Sequence, residues 1–165
     1  MKDGMIQMLC KKHLIVFSIF VILIMIVCTG CGSKSPITTT NFISTMESQD
    51  FYIKDITDQY AEYEVFTSAT LAVNPTNEYQ IEFYTFVDDN MAKDSYSVTK
   101  KNQIEPYEEG SSSNVSVNTD KYSKCAVTAN GQYMFISRID NTMVYVKAPD
   151  SYKDEVKKLI DKLGY

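Results

Sequence analysis

Residues 122–148, YSKCAVTANGQYMFISRIDNTMVYVKA, contain three apolar segments separated by short polar pairs. Each segment is rich in the β-branched and aromatic residues that favour strands. The first pair, Asn130-Gly131, favours a type I′ turn, because both central residues of that turn need positive φ. The second pair is Asp140-Asn141. The stretch therefore predicts a three-stranded antiparallel meander, with strands at residues 122–129, 133–139 and 142–148.

The residues that flank this meander predict more strands and helices. Upstream, residues 65–73 and 79–85 alternate around Asn74-Pro75-Thr76-Asn77, a pattern typical of a hairpin. A short strand is predicted at residues 51–56. A first helix is predicted with Thr39 or Thr40 as its N-cap, and a second with Asp88 or Asp89 as its N-cap and an end near Lys101. A third helix is predicted from Pro149 to Gly164.

Together these elements predict an α+β fold, with an antiparallel sheet of five or six strands and the helices packed on one face. The helix before Gly164 has a clear apolar stripe, formed by Tyr152, Val156, Leu159, Ile160 and Leu163. Residues 105–114 contain three Glu, three Ser, one Pro and one Gly, and this composition predicts a loop.

The N-terminal segment has the composition of an export signal. Lys11 and Lys12 precede an apolar run at residues 14–27, and small residues follow at Thr29 and Gly30. A basic region, an apolar stretch of 7–15 residues and a small-residue cleavage point define such signals.

The segment resembles the export signal of bacterial lipoproteins. Thr29, Gly30 and Cys31 match the last three positions of the family's cleavage box, whereas Cys28 stands where the family usually has an aliphatic residue. The resemblance implies cleavage before Cys31 and a diacylglyceryl thioether on its sulfur, and a lipid with two acyl chains holds a protein stably on a membrane. It implies a location on the extracytoplasmic face of the cell membrane.

This interpretation divides the chain into three parts. Residues 1–30 are the expected signal peptide, residues 31–40 the lipidated cysteine and a polar spacer, and residues 41–165 a single α+β domain. That domain resembles the uncharacterised small lipoproteins of low-GC Gram-positive bacteria. Two alternatives stay open: a transmembrane anchor retained through Gly32, and a redox role for the pair Cys28 and Cys31. Met5 and Met8 are alternative start residues.

Charge excludes one class of partner. The first thirty residues hold three of the sixteen basic and one of the twenty-one acidic side chains, so the remainder has a net charge of −7 at pH 7. Nucleic-acid binding depends on clustered Lys and Arg, and we therefore expect no nucleic-acid partner. We expect the membrane to hold the protein through its lipid and not through charge.

The chemistry of the predicted domain is limited by missing residue types. The single histidine, His13, lies in the predicted signal peptide, and Cys125 is the only thiol after Cys31. Catalytic triads and histidine-ligated zinc sites need imidazole. Glycine-rich phosphate loops are also missing. We therefore predict no catalytic residue, no metal site and no cofactor.

Three features, a cysteine, a group of aspartates and the arginine, have both a structural and a functional interpretation. Cys125 alternates with apolar residues and is expected to be a buried core thiol. Asp88, Asp89 and Asp94 suit a helix N-cap better than a Ca²⁺ loop, because the central glycine of such a loop is missing. Arg138, the single arginine, is expected to pair with an acid across the sheet, although it could also bind a ligand carboxylate.

The tyrosines are the fourth candidate. All twelve lie after residue 30. An exposed aromatic face can bind peptide or glycan, but tyrosine also favours strands for structural reasons. The tyrosines in or beside predicted strands are Tyr52, Tyr60, Tyr63, Tyr79, Tyr84, Tyr133 and Tyr145.

Two functions remain. We favour a non-enzymatic module that binds an envelope protein or peptide, because the domain offers few catalytic options. The alternative is a small carboxylate-based hydrolase that acts on cell-envelope polymers, although no spacing in the sequence identifies its pair of acids.

Overall fold

The computed structural model describes residues 34–165, which form one antiparallel sheet and three α-helices. The strands are β1 (Tyr52–Asp55), β2 (Phe66–Val73), β3 (Gln80–Phe86), β4 (Ser113–Asn118), β5 (Tyr122–Ala129), β6 (Gln132–Ile139) and β7 (Thr142–Pro149). The helices are α1 (Thr39–Glu47), α2 (Asp89–Gln103) and α3 (Lys153–Lys162). Short 3₁₀ segments lie at Thr57–Tyr63, Glu105–Tyr107 and Asp150–Tyr152.

The predicted meander is confirmed as β5, β6 and β7, which pair antiparallel in that order. Asn130 and Gly131 have φ values of 52° and 71°, as a type I′ turn requires. The sheet order is β1-β2-β3-β7-β6-β5-β4. The last strand of the meander therefore lies at the centre of the sheet and joins the meander to the β2–β3 hairpin.

The sheet has seven strands, whereas the sequence predicted five or six. The additional strand is β4, which begins at the end of the predicted loop 105–114 and pairs with β5 at the sheet edge. Every residue of β4 is exposed, including Val115 and Val117. The sequence of β4 alternates only around Val115 and Val117, and two apolar residues among Ser and Asn are too short a pattern to predict a strand. Because both valines stay exposed, β4 buries neither face of the sheet.

Helices cover both faces of the sheet, which differs from the predicted single covered face. On the first face, α1 and α3 pack against the sheet through Phe42 and Val156. On the second face, Ala92 and Tyr96 of α2 pack against it. The physical reason lies in the central strands. Tyr133 and Phe135 of β6 belong to the first-face core, and Met134 and Ile136 belong to the second, so this strand has apolar side chains on both faces and needs cover on both.

The packed chain begins before the predicted boundary at residue 41. Lys34 donates a hydrogen bond to the carbonyl oxygen of Gly164 at 2.8 Å, and Ile37 packs against the first-face core. Helix α1 starts at Thr39, and its N-cap is Thr38 and not the predicted Thr39 or Thr40, because the Thr38 side chain accepts the backbone N–H of Asn41. The predicted signal peptide, Cys28 and Cys31 lie outside the described residues.

Candidate binding cleft

A cleft of about 640 Å³ lies on the second face of the sheet. Its walls are α2 and the 3₁₀ segment Thr57–Tyr63, and its floor is formed by β3 and β7. Small-ligand sites are typically concave spaces of about 300–1,000 Å³ lined mainly by apolar and aromatic groups. We call this space the aromatic cleft, after the rings that line it, Tyr60, Tyr63, Phe66, Tyr84 and Tyr145.

Helix α2 presents one side to the sheet and another to the cleft. Asp88 caps its first turn by accepting hydrogen bonds from the backbone N–H groups of Asn90 and Met91, at 2.8 and 2.9 Å. A single apolar side on this helix would bury Met91 and Val98 together with Ala92 and Tyr96. Instead, Ala92 and Tyr96 are buried, and Met91 and Val98 line the cleft with exposures of 39% and 58%.

The lining residues of α2 follow helical spacing, at positions 91, 94, 95, 98, 99, 102 and 103. This spacing defines one stripe along the helix, next to the stripe that contacts the sheet. The sequence carried a signal for this second stripe, since Met91 and Val98 are seven residues apart. That signal alone could not tell a cleft wall from core.

The aromatic rings form a connected cluster at one end of the cleft. The Tyr60 ring centroid lies 4.9 Å from that of Phe66 and 5.8 Å from that of Tyr84. Phe66 and Tyr84 are 5.5 Å apart, and Tyr63 extends the cluster outward from Tyr60 at 6.5 Å. Aromatic pairs at these separations stabilise one another, so the cluster is preformed.

Glu82 places a carboxylate on the cleft floor, beside these rings. Its Oε2 accepts a hydrogen bond from the hydroxyl of Tyr84 at 2.5 Å, and its Oε1 accepts one from the side chain of Gln80 at 2.9 Å. The hydroxyls of Tyr60 and Tyr84 are 3.2 Å apart. Burial raises the pKa of Tyr84 far above its ordinary value, and the negative charge of Glu82 raises it further.

Tyr145 lies opposite Glu82 in the β3–β7 pairing and completes the floor. Burial is the main cause that raises the pKa of Tyr145 to about 12, with a further contribution from the charge of Glu82. Tyr145 therefore stays a neutral hydroxyl at physiological pH and can serve as a hydrogen-bond donor.

The described residues that line the cleft include two acids and no basic side chain. The acids are Glu82 on the floor and Asp94 on the α2 wall. Lys147, two residues after Tyr145 on β7, does not line the cleft; its ammonium group lies 5.1 Å from the centre of the Tyr107 ring. The aromatic cleft is therefore anionic.

A smaller groove of about 260 Å³ on the first face has the opposite charge. Its lining includes Lys124, Lys153 and Lys157. Lys124 lies over the Phe135 ring at 5.2 Å, and Lys153 lies over the Tyr133 ring at 5.7 Å. The aromatic rings of this groove are thus covered by the protein's own lysines.

The tyrosines in or beside predicted strands, for which an exposed aromatic face was one of two interpretations, divide into two groups. The structure brings Tyr60, Tyr63, Tyr84 and Tyr145 together in the cleft. Three others do not join them: Tyr79 and Tyr133 are buried in the first-face core, and Tyr52 is exposed on the edge strand β1. The sequence pattern did not identify Glu82 as a cleft residue. The available signal was a carboxylate that alternates with buried residues on a strand and shares its face with Tyr84.

The other predicted positions have structural surroundings. Cys125 is a free and fully buried thiol, as expected for a core position, and burial raises its pKa. Asp88 is confirmed as a helix N-cap. No cluster of three or more potential metal ligands occurs within residues 34–165. None of the helices in that range is long and apolar enough to cross a membrane.

Arg138 is fully buried and is bound by backbone groups, not by the acid that we expected. Its Nη1 donates to the carbonyl oxygen of Asp140 at 3.0 Å, and its Nη2 donates to those of Thr119 and Asp120 at 3.3 and 2.7 Å. Burial lowers its pKa, and nearby aspartates oppose that effect. Arg138 therefore joins the β4–β5 and β6–β7 turns and does not line the aromatic cleft.

Comparisons with known proteins give little beyond this geometry. No family model matches the chain. No curated protein matches it significantly. Among solved structures, the chain is similar to a GTP-binding regulator from Thermotoga maritima, with 16% identity over 74% of this chain and 84% of that one, and a TM-score of 0.46.

Proposed function

We propose that this protein is an extracytoplasmic lipoprotein, anchored through Cys31, whose domain binds an envelope protein or peptide without catalysing a reaction. The aromatic cleft is the observation that carries the binding proposal. It combines a volume of about 640 Å³ with preformed rings and exposed apolar side chains on α2. Aromatic anchors of this kind dominate protein and peptide recognition.

The anchor is tested by replacing the lipidated residue. In cells that express the full chain, Cys31→Ala should prevent both lipidation and cleavage of the signal peptide. Fractionation should then show a precursor that is larger than the mature parent protein. The matched control is Cys125→Ala, which leaves lipidation unchanged. A Cys31→Ala protein that has the same size as the parent and stays in the membrane fraction would contradict the lipid anchor and favour the transmembrane alternative.

The binding role is tested by photocrosslinking from the rim of the cleft. Tyr63 is 58% exposed and lines the cleft, whereas Tyr52 is 69% exposed and does not line it. A photoreactive phenylalanine analogue at position 63 should form a discrete adduct with an envelope protein or peptide in living cells. The same analogue at position 52 should not. Equal adducts from both positions, or none from position 63, would count against the cleft as the binding site.

For the alternative function, a carboxylate-based hydrolase, the aromatic cleft offers Glu82 and Asp94 as acid and base. Both oxygens of Glu82 already accept hydrogen bonds, from Gln80 and Tyr84. This arrangement suits a fixed anionic group better than a group that must donate a proton to a substrate. We therefore propose binding and not hydrolysis.

A further inference from the structure

Lysine ammonium groups pack on aromatic rings at several places in this domain. Lys34, Lys124, Lys147 and Lys153 lie 5.0 to 5.7 Å from the centres of the rings of Tyr122, Phe135, Tyr107 and Tyr133, respectively. Cations are attracted to the negative face of an aromatic ring at such distances. Within residues 34–165, no such pair involves a ring of the aromatic cleft.

The same cleft holds carboxylates without a basic partner inside the described part of the chain. Neither Glu82 nor Asp94 belongs to any of the ion pairs found within residues 34–165. Each oxygen of an ionised carboxylate can accept two hydrogen bonds, so Glu82 keeps acceptor capacity after bonding Gln80 and Tyr84. Rings and carboxylates together favour a positive charge.

The rest of the lining suits an alkyl chain. Met91 and Val98 on α2 and Met143 on β7 are apolar and lie in the same cleft as the two acids. A lysine side chain has this combination, since its four-carbon stem packs on apolar surface while its ammonium group remains charged. A neutral apolar side chain would leave the carboxylates of Glu82 and Asp94 without a charged partner.

We infer that the aromatic cleft binds a basic side chain of a peptide, with its stem along Met91 and Val98 and its cation between the tyrosine rings and Glu82. The inference rests on the proposed binding function and names the chemistry of the ligand. We infer a cation because Glu82 and Asp94 are negatively charged. We infer an alkyl stem because the α2 wall of the cleft is apolar.

The two methionines of the cleft provide a direct readout. The full chain in a non-ionic detergent, labelled with ¹³C at its methionine methyl groups, is titrated with a capped pentapeptide that has a central lysine. The Met91 and Met143 signals should shift, whereas that of Met46, which is buried on the first face, should not. Peptides with norleucine or N-acetyl-lysine at the centre should bind at least about tenfold more weakly, because they lack the charge.

A pair of matched variants tests the carboxylate. Glu82→Gln should weaken lysine-peptide binding by about tenfold or more, while its amide oxygen can still accept the Tyr84 hydroxyl. The control is Glu155→Gln, because Glu155 accepts a hydrogen bond from Tyr79 at 2.6 Å but does not line the cleft. This control should bind as the parent does, and thermal unfolding of both variants checks that they are folded.

The outcomes separate the inference from the proposed function. If the norleucine peptide binds as tightly as the lysine peptide, the cation inference is overturned and a binding cleft remains. If none of the peptides shifts Met91 or Met143 while position 63 crosslinks to an envelope partner, the inference is again overturned and the binding function stands. If neither experiment gives a signal, both fail. If hexylammonium, a free alkyl cation, binds as tightly as the lysine peptide, the inference that the cation belongs to a peptide is overturned.

Discussion

Arg138 is the largest fully buried side chain within residues 34–165, and its guanidinium connects turns that are distant in sequence. Its three acceptors are carbonyl oxygens in the β4–β5 and β6–β7 turns. Buried charge is costly, and it is tolerated here because each bond is charge-assisted. Turn carbonyls also need donors when the strands that they join are packed closely.

We expect Arg138→Met to lower the free energy of unfolding by about 2 kcal/mol. Methionine relieves the cost of burying a charge, but it leaves three carbonyl groups without their donor, and the second effect is expected to be larger. Urea unfolding measures the change. The control, Lys54→Met, makes a similar replacement at an exposed strand position and should change stability by less than about 0.5 kcal/mol. Equal losses of stability in Arg138→Met and Lys54→Met would contradict the role of Arg138 in holding the two turns.

At the scale of elements, α2 connects the fold to the candidate site. Its sheet-facing stripe holds it against the second face, and its neighbouring stripe forms a wall of the aromatic cleft. Asp88 fixes where this helix begins, since its carboxylate accepts two backbone N–H groups of the first turn. The start of α2 could be predicted from sequence because capping is local chemistry.

Removing this cap should destabilise the domain by about 1 kcal/mol. Asp88→Ala loses the oxygen that accepts the N–H groups of Asn90 and Met91. Asp88→Asn keeps an acceptor oxygen in its amide and should lose much less stability. Thermal unfolding of the two variants, compared with the parent, measures the difference. Asn90→Ala is the position control, because Asn90 is exposed in the first turn and the variant keeps the backbone N–H that Asp88 accepts. A loss at Asn90→Ala as large as that at Asp88→Ala would contradict the capping role.

At the scale of the whole molecule, buried tyrosines contribute to both sides of the sheet. Tyr79, Tyr133 and Tyr165 lie in the first-face core, and Tyr84 and Tyr96 lie in the second-face core. Burial raises the pKa of every one of these hydroxyls, to about 12 for Tyr133 and further for the other four. In each case the neutral form is favoured in the folded state, because burial disfavours the phenolate.

Stability should therefore fall at alkaline pH. An unfolded tyrosine has a pKa of about 10, so the folded and unfolded states bind the same tyrosine protons below that pH. Above pH 10 the unfolded state ionises first, and each buried tyrosine lowers stability by up to about 1.4 kcal/mol per pH unit until its folded pKa is reached. Urea unfolding at pH 9 and 11 measures the loss. Tyrosinate absorbance should rise in two stages. The exposed tyrosines ionise in the folded protein, and the buried ones ionise only when the protein unfolds. Unchanged stability at pH 11 would contradict this prediction.

The residues that determined local structure could be recognised without coordinates. Asn130-Gly131 predicts its turn because few residue pairs accept two positive φ angles, and Gly164, with a φ of 84°, ends the last helix for the same reason. Asp88 predicts a helix start through its own hydrogen bonds. The export signal and Cys31 are likewise local patterns, and their interpretation stays a prediction because they lie outside the described residues.

Tertiary structure decided what depends on contacts between distant segments. β3 pairs with β7, so Glu82 meets Tyr145 across sixty-three positions of sequence, and no local pattern specifies that register. β4 joins the edge by pairing with β5, and its two exposed valines give only a weak signal for a strand. The sequence by itself determined the turns, caps and apolar periodicities, since these depend on neighbouring residues. The second covered face and the anionic aromatic cleft arise only when the sheet brings separate strands and α2 together.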